Sequence, residues 1–255
     1  ARLAVQLREQ LKEYEQLALY EELELPLAPV LAKMELSGIT PDMELLAQLN
    51  EDMTARIAQL EKQAMEQAGE EFNLKSPKQL GIILFERLQL PVIKKTKTGY
   101  STDAKVLEAL EGKHPLIATI LEHRKLAKLQ STYLDGLKPL VNAKTGRIHT
   151  HFQQTVTVTG RLSSTDPNLQ NIPTRTEEGK QIRRIFVPGA GYDYLMSCDY
   201  SQVELRILAC IAHDELLLDA FRHGQDIHAR TAAEVFGVPL AEVTHEMRSR
   251  AKAVN

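Results

Sequence analysis

The sequence has 255 residues, of which 43% are hydrophobic and 25% charged, with a formal net charge of -3. These values are typical of a globular chain with one large domain or two ordinary ones. They do not indicate a nucleic-acid binder, although a balanced total can hide local basic patches. No apolar run approaches the ~20 residues of a membrane-spanning helix, and the start ARLAVQLREQ does not resemble a signal peptide. Cys198 and Cys210 lack metal-site spacing, which favours a reduced cytosolic protein.

The first half of the chain is predicted to be helical. Thr40 followed by Pro41 predicts an N-cap with proline at the first helical position. One apolar stripe runs along the helix that follows, which is predicted to end near Gly69. The stripe consists of Leu46, Leu49, Met53, Ile57, Leu60 and Ala64.

Shorter helices are predicted next along the chain. Ser76–Pro77 repeats the start signal, and further helices are predicted over about residues 101–111 and 115–133. The intervening segment PVIKKTKTGYST lacks a hydrophobic period. It is either a solvated loop or a loop tip that contacts phosphates. Its lysines are Lys94, Lys95 and Lys97.

After about residue 142 the predicted elements change from helices to short strands. The turn at 144–146 precedes β-prone, partly alternating residues, and STDPNLQNIP has the composition of turns. RRIFVPGAGYDYLMSCD is predicted to form two short strands around a glycine-containing loop, and helices return from Ser201 onward. This order predicts helical modules around a central sheet.

Asp199 lies at a predicted junction between a strand and a helix. The apolar Leu195, Met196 and Cys198 favour a buried strand before it. Ser201 with Glu204 fits a capping box that starts the helix. A carboxylate at such a junction is either a turn residue or one ligand of a hard cation such as Mg²⁺. The predicted core face of the helix is Val203, Ile207 and Ile211.

The segment TGRLSSTDPNLQNIP, residues 159–173, is rich in amide and guanidinium groups. It is either a polar loop satisfied by its own hydrogen bonds or a surface that donates to acceptors in the DNA minor groove. The side chains in question are Arg161, Asn168, Gln170 and Asn171.

The last helix, THEMRSRAKAVN, carries cations on one face. Thr244 is its predicted N-cap, and Arg248 and Lys252 are four residues apart. These cations either face water or bind a triphosphate, Arg through its planar fork and Lys as a point charge. His228, predicted at the start of an earlier helix, taken alone indicates a structural or solvated residue.

Together, and in this order, these segments resemble the A family of DNA polymerases, the bacterial DNA polymerase I type. CDYSQVELR resembles motif A of that family, and TGRLSSTDPNLQNIP resembles its primer-template-binding segment. DIHARTAAEVF and RSRAKAVN resemble the start of its fingers, the latter being the first half of motif B. The resemblance implies a fold that is mainly α with an α+β palm, in an incomplete right-hand polymerase architecture.

The resemblance also implies a domain order. Residues 1–20 resemble the tail of a preceding exonuclease-like domain, and the remaining boundaries follow in sequence. We expect 21–40 to lead into the palm, 41–142 to form the helical thumb, 143–203 to form the palm with motif A, and 204–255 to start the fingers.

The family's functional residues map onto positions of this sequence. Asp199 resembles the aspartate that holds both catalytic Mg²⁺ ions, and the Tyr200 carbonyl resembles a further metal ligand. Glu204 resembles the glutamate beneath the incoming sugar. The implied dNTP site comprises Tyr200, Ser201, Gln202, Glu204, His228, Arg248 and Lys252, of which Arg248 and Lys252 share the catalytic role with Asp199. The implied DNA contacts are Arg161, Asn168, Gln170 and Asn171, with a looser match for Lys94, Lys95 and Lys97.

Two departures from the family pattern stand out. Ser249 occupies a position where many relatives have a second arginine. AKAVN is not followed by the Phe-Gly that continues motif B, nor later by motif C, a His-Asp-Glu sequence. We therefore expect truncated fingers and a palm without its motif C hairpin. A second polypeptide segment would have to supply the other carboxylate of the two-metal site, and the chain alone would be inactive.

The implied reaction is the transfer of a dNMP from a dNTP to a primer 3'-OH in a bacterial cytosol or a phage-infected cell. The implied partners are primer-template DNA, dNTP and Mg²⁺, with no membrane. Two alternatives remain open. One is a non-catalytic module that binds duplex DNA, and the other is a single-subunit RNA polymerase, against which Glu204 argues.

Overall fold

Helices supply most of the regular structure. The computed structural model describes residues 2–97 and 99–251. The α-helices are α1 (Arg2–Glu13), α2 (Leu17–Leu19), α3 (Leu25–Ser37), α4 (Met43–Ala68), α5 (Pro77–Ile82), α6 (Ala104–Ala109), α7 (Pro115–Leu129), α8 (Asp135–Leu137), α9 (Glu177–Arg184), α10 (Val203–Ala212), α11 (Glu215–Arg222), α12 (Ile227–Phe236) and α13 (His245–Ala251). Short π-helical turns lie at Tyr20–Glu24, Ile83–Arg87 and Gln130–Leu134, and 3₁₀ turns lie at Lys138–Leu140 and Leu240–Glu242.

The strands are short and pair only as antiparallel couples within the described residues. They are β1 (Thr40–Pro41), β2 (Lys95–Thr96), β3 (Gly99–Tyr100), β4 (His151–Gln153), β5 (Ser163–Thr165) and β6 (Phe186–Val187). The pairs are β1 with β6, β2 with β3, and β4 with β5. The described chain is therefore mostly helical with small antiparallel sheets, as the mainly α and α+β fold class predicted.

The chain divides into two compact units, residues 1–195 and 196–255. The first unit contains α1–α9 and the three strand pairs, and the second contains α10–α13. None of the helices in the described residues combines the length and the apolar character needed to cross a membrane.

The N-cap of the long helix α4 lies two residues after the predicted one. Asp42 is the cap, and its carboxylate accepts hydrogen bonds from the N–H groups of Glu44 at 3.0 Å and Leu45 at 2.9 Å. The prediction of Thr40 as the cap is wrong because the backbone of Thr40 and Pro41 is instead extended and pairs with β6. The helix ends at Gly69, in the left-handed conformation, as predicted.

Residues 38–42 form a junction that ties three distant parts of the first unit together. Ile39 and Ile148 exchange two backbone hydrogen bonds of 2.9 Å, and the N–H of Asp42 donates to the carbonyl of Ile185 at 2.6 Å. Gly38 turns the chain into this junction with a φ of 59°. A Cβ there would lie 2.7 Å from the Ile148 carbonyl oxygen, so the close approach requires glycine.

The predicted apolar stripe of α4 supplies two hydrophobic clusters. Leu46, Met53, Ile57 and Ala64 are buried, while Leu49 and Leu60 are partly buried. The N-terminal part of the stripe packs against the C-terminal half of α7, the π-helical turn that follows α7, and α9. Ala64 joins the other cluster, which α5, α6 and the first half of α7 complete. This confirms the prediction of one amphipathic helix with a continuous core face.

Four charged side chains link α4, α7 and α9, and we call them the Glu178 cluster. Glu178 lies 3.0 Å from the Lys125 ammonium and 3.6 Å from the Arg56 guanidinium. Glu122 also pairs with Arg56 at 2.7 Å and with Lys125 at 3.6 Å. The Glu178 side chain is only 13% exposed, so its charge is compensated by contacts rather than by water.

A buried hydroxyl network holds the loop that follows β5, and we call it the Thr150–Ser164 network. The Thr150 hydroxyl oxygen lies 2.7 Å from that of Ser164 and 2.7 Å from the carbonyl oxygen of Pro167. The Ser164 hydroxyl in turn accepts from the N–H of Leu169 at 3.2 Å. Both side chains are buried, so each of these groups depends on the network for its hydrogen bonds.

We expect Glu178→Gln to destabilise the chain by about 1–2 kcal/mol at pH 7, because Arg56 and Lys125 lose a shared, poorly solvated anion. Burial alone would raise the pKa of Glu178, but a backbone N–H together with Lys125 and Arg56 lowers it below its usual 4.5. A lowered folded pKa means that the stabilisation is present above the usual pKa and lost as the pH falls through the lowered value.

Urea unfolding at pH 7 and in more acidic buffers measures this effect. The free energies of unfolding of the wild type and Glu178→Gln should differ at pH 7 and converge as the Glu178 carboxyl becomes protonated. Glu177→Gln is the matched control, because Glu177 is 78% exposed and forms an ion pair with its own helix neighbour Lys180. If Glu177→Gln lowers the free energy of unfolding as much as Glu178→Gln does, the Glu178 cluster does not stabilise the chain more than an exposed ion pair.

We expect Thr150→Val to destabilise the chain by about 0.5–1.5 kcal/mol, because it removes the buried hydroxyl that bonds Ser164 and the Pro167 carbonyl and leaves only the 3.1 Å bond from the Ser164 hydroxyl to that carbonyl. Guanidinium unfolding measures the loss. Thr155→Val, at an exposed position of the same segment, should change the free energy of unfolding by less than about 0.5 kcal/mol. Equal effects of the two substitutions would contradict the network's role.

Candidate nucleic-acid and nucleotide site

The segment before Asp199 does not form the predicted strand. Residues 194–200 have no regular secondary structure, and Leu195 and Met196 are 54% and 86% exposed. Cys198 is also exposed, and it is a free thiol like Cys210. The prediction of a buried strand is wrong because a strand needs a neighbour for its backbone groups, and none of the described strands pairs with this segment.

The helix after Asp199 also starts differently from the prediction. It begins at Val203, and Gln202 precedes it in the left-handed conformation with a φ of 52° and no side-chain cap. The capping box of Ser201 with Glu204 is therefore wrong. The carbonyl of Ser201 instead accepts a hydrogen bond of 2.9 Å from Arg206. Asp199 and Tyr200 are both exposed, at the start of the second unit.

The predicted core face of α10 lies in solvent. Val203, Ile207 and Ile211 are 39%, 53% and 75% exposed, so this prediction is wrong. The helix contacts α11 through a different side, where the Arg206 guanidinium lies 4.5 Å from the ring centroid of Phe221. An apolar pattern at helical spacing identifies a face that can be buried, but the neighbouring elements decide which side is covered.

The letters His-Asp-Glu do occur in the sequence, at 213–215, but in a turn between two helices. His213 ends α10 in the left-handed conformation. The Asp214 carboxylate accepts a hydrogen bond of 3.0 Å from the N–H of Leu217 in α11. This triplet precedes the segment that resembles motif B and terminates one helix while starting the next, so it does not correspond to a motif C hairpin.

The residues predicted to contact DNA lie in the 159–173 loop, and they are Arg161, Asn168, Gln170 and Asn171. All four residues are exposed. The Gln170 amide is committed to the loop itself, because its oxygen accepts from the N–H of Ser164 at 3.0 Å and its nitrogen donates to the Leu162 carbonyl at 3.3 Å. Internal hydrogen bonds therefore satisfy part of this loop, as one interpretation of the sequence expects, and its contact with DNA stays a prediction.

Two further hydrogen bonds hold this loop, one through the side chain of Asn168 and one through the backbone of Asn171. The Asn168 side chain accepts a hydrogen bond of 3.0 Å from the N–H of Gln170. The Tyr133 hydroxyl donates to the carbonyl of Asn171. Burial raises the pKa of Tyr133, so this hydroxyl keeps its proton and remains a donor at neutral pH. Tyr133, in the π-helical turn after α7, thus connects the loop backbone to the hydrophobic core.

The predicted lysine loop is a hairpin made by β2 and β3. The Lys94 ammonium lies 3.2 Å from the Asp103 carboxylate, and the Lys95 ammonium lies 5.9 Å from the ring centroid of Tyr100. The hydrogen bond from the N–H of Val106, followed by those from Ser101 and Lys94, lowers the pKa of Asp103, which caps α6. Lys97 is exposed at the turn.

The second unit places His228 and Arg248 on neighbouring helices. His228 is in the first turn of α12, and Arg248 is in α13, whose start is capped by Thr244 as predicted. The Arg248 Nε donates a hydrogen bond of 2.7 Å to Oδ2 of Asp226, and Nη2 lies 2.7 Å from the same oxygen in an ion pair. Lys252, predicted on the same face as Arg248, lies outside the described residues.

Sequence reasoning missed Asp226. Its position directly before the apolar-periodic run of α12 is a helix-start signal that the sequence does contain. Its carboxylate accepts a hydrogen bond of 3.2 Å from the N–H of Ala229, which makes it the cap. Its pairing with Arg248, across 22 residues of sequence, had no sequence signal.

The described residues do not by themselves fit a complete Mg²⁺ site. No group of three or more His, Cys, Asp or Glu side chains among them is arranged to hold a metal ion. Mg²⁺ prefers an octahedron of oxygens, of which one or two are protein carboxylates and others come from phosphates and water. The sequence predicts Asp199 as one such carboxylate and the Tyr200 carbonyl as one further oxygen, and both residues are exposed.

Comparison with known proteins places the chain among DNA polymerases. The family model "DNA polymerase family A" matches residues 43–255. The DNA polymerase I of Caldicellulosiruptor bescii is 56% identical over 237 residues, which cover 93% of this chain and 28% of that protein. The DNA polymerase I of Bacillus subtilis is 51% identical over 253 residues, covering 99% of this chain and 29% of the relative.

A solved structure has the same fold over nearly the whole chain. It is described as the POL domain of Pol1 from M. smegmatis in complex with DNA primer-template and dNTP. It is 46% identical and superposes with a TM-score of 0.90 over 99% of this chain and 45% of that one. This chain thus spans less than a third of the two relatives and under half of the solved structure. By its sequence and by its fold, the chain belongs to DNA polymerase family A.

Proposed function

We propose that this chain is the part of a template-directed DNA polymerase that carries the thumb, motif A and the first half of motif B. The observation that carries the proposal is the likeness, with a TM-score of 0.90 at 46% identity, to a polymerase domain described with primer-template and dNTP. The proposed thumb is 41–142, entered through 21–40 after an exonuclease-like tail at 1–20. The proposed palm segment is 143–203, and 204–255 starts the fingers.

The proposed DNA surface combines the 159–173 loop with the β2–β3 hairpin. Arg161 and the amides of Asn168 and Asn171 supply exposed donors for minor-groove acceptors, which every base pair presents. Gln170 supports the same surface through its bonds to the loop backbone. Lys94, Lys95 and Lys97 carry positive charge at the hairpin, which suits contacts with phosphates that position a duplex without reading its sequence.

The proposed nucleotide site uses residues that follow Asp199 together with cations from α12 and α13. Tyr200, Ser201, Gln202 and Glu204 would contact the sugar and base side of a dNTP. His228, Arg248 and Lys252 would bind its phosphates, where a guanidinium fork and a point charge are complementary to a triphosphate. The cations would also neutralise the charge that develops on the leaving pyrophosphate.

Asp199 is the proposed metal ligand and catalytic carboxylate. In two-metal enzymes the ions, when bound, stabilise the attacking and the leaving oxygens. This chain would contribute one carboxylate, and a further polymerase segment with motif C would contribute the other. We use the term completed polymerase for this chain together with that segment, supplied in one polypeptide or in trans.

We expect Asp199→Ala to abolish primer extension by the completed polymerase while the Kd for primer-template DNA changes by less than about threefold, because the carboxylate contacts metal rather than DNA. Extension assays and fluorescence anisotropy measure the two quantities. Asp193→Ala, in the same exposed stretch, is the matched control and should retain activity.

The same pair of assays decides between the enzyme and the second candidate, a non-catalytic duplex-binding module. The exposed donors of the 159–173 loop would suit either function. Duplex binding without any extension by the completed polymerase, in wild type and Asp199→Ala alike, would favour the binding module. Extension that survives Asp199→Ala would contradict the catalytic role of this carboxylate.

We expect Glu204→Ala to let the completed polymerase incorporate ribonucleotides at least about tenfold more efficiently, since the side chain beneath the sugar would no longer oppose a 2'-hydroxyl. The ratio of kcat/KM for a dNTP and its rNTP measures this selectivity. Glu215→Ala, an exposed carboxylate on α11, is the control. A wild-type enzyme that prefers rNTPs would instead support the RNA polymerase alternative.

A further inference from the structure

Asp226 occupies a central position between the two helices that carry the proposed phosphate-binding cations. It precedes α12, which carries His228 in its first turn, and it pairs with Arg248 of α13. Both partners lie within the second unit of the chain. No role had been assigned to this carboxylate from the sequence.

The two carboxylate oxygens of Asp226 have separate partners. Oδ1 accepts the hydrogen bond of the Ala229 N–H at 3.2 Å and so caps α12. Oδ2 accepts a hydrogen bond of 2.7 Å from Nε of Arg248 and lies 2.7 Å from its Nη2. Burial alone would raise the pKa of Asp226, but the Arg248 hydrogen bond and the backbone N–H of Ala229 lower it, so the group is ionised at neutral pH.

The Arg248 pair differs from the other arginine pair on α13. Arg250 contacts Glu246 one turn away, and these side chains are 69% and 74% exposed. Arg248 and Asp226 are 31% and 37% exposed and join two different helices. An exposed pair within one helix barely restricts its side chains, whereas a less exposed pair across two helices, with Nε and Nη2 both on one carboxylate oxygen, restricts the guanidinium more strongly.

We propose that Asp226 is a positioning residue of the triphosphate site, which holds the Arg248 guanidinium in place while it caps the helix that carries His228. This inference rests on the proposed function, in which Arg248 binds the phosphates of a dNTP. A guanidinium has five N–H donors. The geometry uses the Nε donor and one Nη2 donor, so the remaining donors can be directed at a phosphate without breaking the pair.

The advantage of such a contact is preorganisation. An arginine side chain loses rotamer entropy when a ligand immobilises it. Asp226 would bring about that ordering before the nucleotide arrives, which strengthens nucleotide binding. The carboxylate contacts neither DNA nor the reacting atoms in this scheme, so it should affect the KM for dNTP far more than kcat.

The test compares single-nucleotide incorporation by variants of the completed polymerase. Asp226→Ser retains a good N-cap but is too short to reach Arg248. We expect it to raise the KM for dNTP about tenfold, the factor that corresponds to about 1.4 kcal/mol, with kcat and the Kd for primer-template within about twofold of wild type. Arg248→Ala should raise the KM further, and adding Asp226→Ser to it should have no further effect.

Two further variants separate positioning from a general loss of structure. Asp226→Asn keeps both the cap and the side-chain length, so it should raise the KM for dNTP by a smaller factor of about threefold without lowering the melting temperature. Glu246→Gln breaks the exposed Arg250 pair on the same helix and should leave the KM for dNTP unchanged.

The outcomes distinguish a failure of this inference from a failure of the proposed function. An unchanged KM for dNTP in Arg248→Ala would show that Arg248 does not bind the nucleotide, and the proposed function would lose this site. A raised KM in Arg248→Ala with an unchanged KM in both Asp226 variants would overturn the positioning role alone. An Asp226→Ser effect that persists in the Arg248→Ala background would also overturn it.

Discussion

The junction at residues 38–42 is the constraint on which the first unit depends. There the backbone of Ile39 pairs with Ile148, and β1 pairs with β6, so three segments far apart in sequence meet at one point. The entropic cost of closing such long loops rises only slowly with their length. A few backbone hydrogen bonds, together with buried side chains, can therefore offset it. Gly38 is needed because a side chain there would collide with the Ile148 carbonyl.

From this junction the arrangement of the proposed thumb follows. The long helix α4 begins as soon as the chain leaves β1, and α9 ends just before β6, so both helices are anchored at the same place. α7 packs along α4, and the Glu178 cluster adds a charged contact among α4, α7 and α9. The 159–173 segment contains β5 and is followed by α9, so the position of its exposed donors depends on this packing.

The two proposed binding surfaces have one physical feature in common. In both, internal hydrogen bonds order polar side chains before any ligand is present. In the 159–173 loop, the Gln170 amide and the Thr150–Ser164 network hold the backbone that presents Arg161. In the second unit, Asp226 fixes the guanidinium of Arg248. Such groups contribute to function through the geometry of their neighbours, which is why residue type and motif alone do not reveal them.

The sequence by itself determined the local elements and the family. The stripe of α4, the caps at Ser76 and Thr244 and the family membership were all predicted, because spacing, cap chemistry and long motifs are properties of contiguous residues. Only the tertiary structure decided that Asp42 rather than Thr40 caps α4, and that residues 194–200 form no strand and one apolar face of α10 is exposed. It alone also paired Asp226 with Arg248. Each of these outcomes depends on which distant backbone or side chain comes close, and short-range patterns carry no information about that.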